Sequence, residues 1–443
     1  MRNLRRRMIA VSILALVSIV VACGGGGGGG GSSGTPPASR SFYMGSTPYF
    51  ARPGLSPDFR FENMDERDLL SLHVDDFWGV PWDYCNASGC ANLPSSWQSQ
   101  WQALAGQARA TGKPIYLAVS PLGDRRTLAK RVNSDGTLQE HWLPGAAVDA
   151  NGCYRFSSDA NAATYQAAYI GFMKYLIDLV GPDFVSPAIE MNMEFTTCPA
   201  EKDAWIAWYA GVHAAIKAAH PALPVFATFQ MESMYGITDA ASACGGSLTL
   251  EQCFDSRLIE ALTIAGDRFA LSTYPMSWRL IHSGYPTDTY AVVKQATARP
   301  IWVSETGWPA VKVLVSYPHG TAGTCGAVAV SASDANDDQQ AAYLAWLLGE
   351  AQHQGVETVI WWLNRDYLDG AVSAGCPCAP AASDTCSLLD QYYQAGEQAL
   401  PGSGGTTLEF ILRVFGNMAL HNYDGSRRPA GETWHSWLAR PRG

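Results

Sequence analysis

Hydrophobic residues along this chain gather in short, nearly continuous runs, separated by longer segments of helical periodicity. Eight runs read as strands: residues 42–45, 70–77, 114–120, 184–190, 224–229, 269–274, 300–305 and 358–363. Several are almost unbroken in Val, Ile, Leu, Phe and Trp, the pattern of a parallel strand buried on both faces. Between them, 95–111, 162–179, 201–220, 256–264, 289–298 and 336–354 read as helices. In the second, Tyr165, Tyr169, Phe172 and Leu176 recur at spacings of three and four. Asp159 or Asn161 is placed to cap that helix, and Gly181-Pro182 ends it. Eight strands alternating with helices predict an α/β fold of the (β/α)8 TIM-barrel type. An open doubly wound sheet would carry a glycine-rich phosphate loop after its first strand, where this chain has Gly45-Ser46-Thr47-Pro48-Tyr49.

The N-terminus follows another pattern. Arg2 and Arg5 to Arg7 precede an apolar stretch from Met8 to Ala22, which ends in Val20-Val21-Ala22-Cys23. That stretch is too short to span a bilayer and suits the core of a signal peptide. Its ending resembles a bacterial lipobox, so residues 1–23 are expected to be a lipoprotein signal with Cys23 as the lipidated residue. Gly24 to Gly31 and the Ser/Gly/Thr/Pro residues after them make 24–40 a flexible tether. No second linker or internal repeat interrupts 41–443, which is expected to be a single domain acting as a monomer. The expected location is the bacterial cell envelope, membrane-attached through the lipid, or the exterior.

Charge narrows the partners. The formal net charge is −10, and loss of the four leader arginines takes it to −14. A surface that acidic repels phosphate backbones, so nucleic acid is excluded as a partner. Apart from Cys23, ten cysteines remain, an even set that outside the cytoplasm reads as disulfides. Cys85–Cys90 and Cys244–Cys253 are the easiest pairs by spacing. Cys376, Cys378 and Cys386 have no second pair at zinc-finger spacing and no nearby histidine, so no metal or cofactor is expected.

In a barrel, chemistry belongs to the C-terminal ends of the strands. Here those ends hold His73, Asp75 and Asp76; Asp124 to Arg126; Glu190, Asn192 and Glu194; and Gln230. They continue with Tyr274 and Trp278; Glu305 and Trp308; and Trp361, Trp362, Asn364 and Asp366. Carboxylates, amides and indoles on one rim are what a sugar requires, with aromatic faces for its C–H surfaces and polar groups for its hydroxyls. Cleaving a glycosidic bond takes two carboxyl groups, and Glu190 and Glu305 end strands four and seven. A histidine on an apolar strand is more often a core residue, so His73 is the weaker pick. Asp337 and Asp338 precede a helix and complement its dipole.

Ile301-Trp-Val-Ser-Glu305-Thr-Gly-Trp-Pro309 resembles the seventh-strand motif of the glycoside hydrolase clan that includes family 53 endo-β-1,4-galactanases and family 17 β-glucanases. Leu271-Ser-Thr-Tyr274-Pro275-Met-Ser-Trp278 resembles the galactanase sixth strand, and Pro182-Asp-Phe-Val-Ser-Pro-Ala-Ile-Glu190 the fourth. The resemblance implies a retaining hydrolase of a galactan-like polysaccharide. Glu305 would be its nucleophile, Tyr274 the partner of Glu305, and Glu190 the acid/base, with Glu194 its rival because Glu190, Asn192 and Glu194 share one face if the strand stays extended. The sugar ligands would come from Asn192, Glu194, Trp278, Trp308, Trp362 and Asn364. One position departs: the clan has asparagine immediately before the acid/base, and this chain has Ile189. A second function class follows from that departure, a catalytically inactive barrel that binds glycan at the cell surface.

Overall fold

Eight parallel strands form one sheet: β1 (Tyr43–Thr47), β2 (Leu69–Val74), β3 (Ile115–Val119), β4 (Phe184–Ser186), β5 (Thr228–Gln230), β6 (Phe269–Thr273), β7 (Ile301–Thr306) and β8 (Thr358–Trp362). The computed structural model describes residues 39–48, 61–74, 78–123, 126–139, 143–237, 244, 248–276, 286–316, 325–330, 335–375, 378–399 and 404–443. Ladders run β4-β3-β2-β1-β8-β7-β6-β5. The two ends meet at a parallel Val185–Val225 bridge, where Val185 N–H donates to Pro224 O (3.0 Å) and Phe226 N–H to Val185 O (3.1 Å). The sheet thereby closes into the expected (β/α)8 barrel.

Helices α1 (Ser95–Ala110), α2 (Ala162–Val180), α3 (Lys202–Ala219), α4 (Leu250–Thr263), α5 (Thr289–Ala296) and α6 (Asp337–Gln354) lie between the strands in sequence. α4 starts earlier than its apolar pattern indicates, because Thr249 and Gln252 form a reciprocal capping box. Asn336 caps α6 by accepting from Gln339 N–H. Among the described residues, three helices of ten residues or more follow the barrel where the sequence pattern named none: α7 (Asp384–Ala399), α8 (Gly404–Phe415) and α9 (Pro429–Leu438). α7 and α8 contribute to a small second core of Leu363, Leu368, Leu389, Leu412 and their neighbours, while Trp434 and Trp437 of α9 join the main core.

The period of two along each strand sorts the side chains. Leu69, Tyr116, Ala118, Phe226, Ala270, Trp302 and Ile360 form one buried cluster. Tyr116, Phe226 and Trp302 come from three separate parts of the barrel, yet their ring centroids lie 5.1–5.7 Å apart. Contact across the barrel is possible only in its interior, so these residues face the lumen. Their chain neighbours Leu70, Leu117, Leu271, Val303 and Trp361 belong to the outer core beneath the helices. The lumen is therefore apolar in its lower layers, and polarity begins only near the C-terminal ends.

Disulfides join Cys85–Cys90 and Cys244–Cys253 as the spacing suggested, and also Cys153–Cys198 and Cys378–Cys386. The last pair engages two of the three cysteines considered for a metal. Cys23, Cys376, Asp75, Asp76, Asp124, Arg125 and Trp278 lie outside the described residues.

Candidate active site

The β6 strand organises the site. Its Ser272 and Thr273, and Tyr274 immediately after it, each hold a different buried carboxylate. Ser272 Oγ donates to Glu190 Oε1 at 2.6 Å, and Thr273 Oγ1 to Glu232 Oε1 at 2.7 Å. The Tyr274 hydroxyl donates to Glu305 Oε1. Ser272 and Tyr274 are two residues apart, so they share one face and stand about 6.6 Å apart along the chain. Glu190 and Glu305 thus converge on the same side of β6, above the apolar layer.

Glu305 reaches the lumen through a bulge. Trp302 faces inward and Val303 outward, so strict alternation would turn Glu305 outward. Both ladders of β7 skip one residue instead. Pairing with β6 passes from Leu271↔Val303 to Ser272↔Glu305, and pairing with β8 passes from Val303↔Val359 to Thr306↔Trp361. The extra residue reverses the parity and aims Glu305 inward. There His73 Nδ1 lies 3.3 Å from Glu305 Oε2, so His73 belongs to the site. Burial pushes the Tyr274 phenol well above its ordinary range, and the Glu305 charge adds to the rise. Tyr274 therefore stays a hydrogen donor throughout the working pH range.

The rest of the β7 motif is structural. Thr306 Oγ1 pairs with the Tyr343 hydroxyl of α6 at 2.7 Å. A Cβ on Gly307 would stand 2.8 Å from the Trp362 carbonyl oxygen, so no side chain fits there. Trp308, expected as a sugar ligand, is 1% exposed and packs on Tyr343, which leaves it no face for a ligand.

The expectation of one strand over 184–190 is corrected. β4 stops at Ser186, because Pro187 has no N–H to continue the ladder. The chain then turns, and Glu190 adopts φ 48°, a left-handed conformation unusual for a side chain with a Cβ. Thr228 of β5 locks this turn: its Oγ1 accepts from Glu190 N–H (2.8 Å), and its O accepts from Met191 N–H (2.8 Å). Glu190, Asn192 and Glu194 consequently do not share a strand face. Glu194 lies on a short helix, Met193–Thr197, and is 1% exposed. Both ends of the Asn192 amide are engaged by the Gln230 backbone, at 2.9 and 2.7 Å. Ile189 joins the apolar lumen cluster.

On β8 the adjacent indoles diverge as alternation requires. Trp361 is fully buried and donates to Met418 O at 2.8 Å. Trp362 is half-buried on the lumen side, its ring 5.2 Å from His73 at 83°. Asn364 is buried and donates to Glu62 O at 2.9 Å.

Glu232 is the residue that sequence reasoning missed. It lies two positions past Gln230, at the C-terminal end of β5, and that placement was the available signal. It is fully buried. One carboxylate oxygen accepts from Thr273 and from Tyr274 N–H (2.8 Å); the other has no hydrogen-bond partner among the described residues. Burial pushes its carboxyl up to about 7; the hydrogen bonds offset this only in part, and the Glu190 charge adds to it.

A carboxyl raised from 4.5 to about 7 keeps its proton in the folded protein where the unfolded chain releases it. Its contribution to stability is whole below pH 4.5 and is lost as pH rises through about 7. Glu232→Gln keeps an acceptor for Thr273 and Tyr274 and carries no charge. It is expected to match the wild type near pH 4 and to exceed it near pH 8, by about 3 kcal/mol at most. Urea unfolding at both pH values checks this, and equal pH dependence of the two proteins would refute it.

Fold and site together define a (β/α)8 barrel with a buried carboxylate pair at its C-terminal rim. No family model and no curated protein matches the sequence. Among solved structures, the chain is similar to a GH5_18 protein from Streptomyces cattleya in complex with GlcNAc. The identity is 14%, with 91% of this chain and 80% of that chain covered, at a TM-score of 0.50. It is also similar to the GH53 catalytic domain from Ignisphaera aggregans, at 15% identity over 91% of this chain and 97% of that one, TM-score 0.47. An exo-β-1,4-mannosidase from Opitutaceae bacterium strain TAV5 shares 13% identity over 90% of this chain and 59% of that one, TM-score 0.49. At such identities the likeness concerns the fold.

Proposed function

We propose that this protein is an exported glycoside hydrolase, attached to the cell envelope through a lipid on Cys23, that cleaves β-linked, galactan-like polysaccharide with retention of configuration. The observation that carries the reading is the grip of β6 on two buried carboxylates, Ser272 on Glu190 and Tyr274 on Glu305. In this reading Glu305 attacks the anomeric carbon while Glu190 gives its proton to the departing oxygen. Water, deprotonated by Glu190, then displaces Glu305 from the sugar. Tyr274 and His73 hold Glu305 in line for attack. Trp362, half-buried beside them, offers the sugar an apolar face.

A second reading, glycan binding without turnover, draws support from two positions. Ile189 is packed in the lumen, and the Asn192 amide is engaged by Gln230. Ile189 offers a sugar hydroxyl no hydrogen bond, and the Asn192 amide is held in place by Gln230. Reducing-sugar release from β-1,4-galactan, β-glucans and β-mannans, with affinity electrophoresis in parallel, separates the two. Release from at least one polysaccharide is expected. Retarded migration without release would favour the binding reading, and neither effect on any polysaccharide would overturn both.

A further inference from the structure

The side chains around Glu305 form a closed circuit, and one member comes from outside the barrel. His73 and Tyr274 touch Glu305, and Trp362 meets His73 edge-on. Phe415, the last residue of α8, completes the ring. Its centroid lies 4.8 Å from that of Tyr274 at 82°, and 5.8 Å from that of Trp362 at 79°.

The turn that carries Phe415 is held firmly. Arg413, fully buried, donates through Nε to Glu409 (2.8 Å) and through Nη1 to the carbonyls of Ser373 and Gly375. Asn417 donates to Ser373 Oγ (2.8 Å) and Arg413 O (3.0 Å), while its own carbonyl accepts from Ala310 N–H just past β7 (2.8 Å). Buried hydrogen bonds on both sides of one aromatic residue fix its position relative to the end of β7. Yet Phe415 itself is only half-buried, like Trp362, whereas Trp308 and Trp361 are sealed in the core. Of the four rings in the circuit, His73 and Tyr274 are buried, and Phe415 and Trp362 are the two that keep accessible surface.

We propose that Phe415 is a specificity-determining residue, forming with Trp362 an apolar corner that receives the C–H face of the sugar bound beside Glu305. This rests on the glycoside hydrolase reading and adds to it a substrate contact from the extension after β8. A pyranose presenting ring C–H groups to the corner is favoured, and one that turns a hydroxyl into it loses a hydrogen bond to water. Aromatic contacts of this kind are worth about fivefold to tenfold in affinity.

The test compares Phe415→Ala and Phe415→Tyr with the wild type on the polysaccharide that the wild type hydrolyses best. It adds the 4-nitrophenyl glycoside of the same sugar and a thermal melt. Phe415→Ala should raise KM about fivefold to tenfold with kcat within about twofold, and Phe415→Tyr should restore KM. If the wild type binds without turnover, the same ratio is read from Kd. An unchanged KM or Kd in a folded Phe415→Ala protein overturns this proposal and leaves the hydrolase reading standing. A fall in kcat with KM unchanged assigns Phe415 to propping Tyr274 and overturns it equally. A wild type that neither binds nor hydrolyses any polysaccharide overturns both readings.

Discussion

Glu305→Ala is expected to lower kcat on the best polysaccharide by about 10⁴-fold or more, because it removes the atom that bonds to the anomeric carbon. Azide, small enough for the space the side chain leaves, should restore turnover of an activated aryl glycoside. It attacks the anomeric carbon, the glycosidic C–O bond breaks, and the product is a glycosyl azide of inverted configuration. Glu305→Gln supplies the structural control. Its amide oxygen can still accept from Tyr274, so it should fold with the wild-type melting temperature and remain equally inactive. Substantial activity in either variant would remove Glu305 from the chemistry and reduce it to a buried acceptor for Tyr274. NMR of the azide product reads the stereochemistry directly.

Glu190→Ala should behave differently on different substrates. Turnover of the polysaccharide, whose leaving oxygen needs a proton, is expected to fall by about 10²–10⁴-fold. Aryl glycosides with acidic phenols need little protonation and should still form the glycosyl-enzyme on Glu305. Azide should then give a product of retained configuration, the opposite of the Glu305→Ala result. The backbone adds a second readout. Glu190 sits at φ 48°, a conformation that costs a residue with a Cβ about 1 kcal/mol and costs glycine little. Glu190→Gly should therefore melt higher than Glu190→Ala while being just as impaired. Leaving-group dependence appearing in Glu194→Ala and absent from Glu190→Ala would overturn the assignment.

Much of the architecture was legible because it depends on local pattern. Eight apolar runs placed the eight strands, and the alternation within them sent Trp361 and Trp362 to opposite faces. The pairing of Tyr274 with Glu305 follows from the resemblance of the sixth strand and not from periodicity, and the structure has the two in contact. The early end of β4 was also written in the chain, in Pro187, but the apolar run that continues to Ile189 masked it. His73 was discounted because a histidine on an apolar strand has no local mark of function. Only the approach of β7 gives it one.

The extension after β8 escaped the pattern because α7 and α8 pack largely on each other and on a small core of their own. Their position over the barrel is set by buried polar contacts, such as those of Arg413 and Asn417, that join residues distant in sequence. Nothing local announces that Phe415 will meet Tyr274 and Trp362.

By itself, then, the sequence determined the barrel, its apolar lower lumen and the rim on which polar residues collect, since each follows from a period of two or of 3.6 read over a few residues. Tertiary structure decided which of those polar residues meet. The parity of β7 would send Glu305 outward with Val303, and one extra residue, accommodated only when β6 and β8 pair on either side, turns it toward Tyr274 and His73. Glu190 likewise owes its place to Thr228, 38 residues away. The physical reason is the same in both cases. A bulge or a left-handed turn has no periodicity of its own and exists only because the neighbouring strands hold it there.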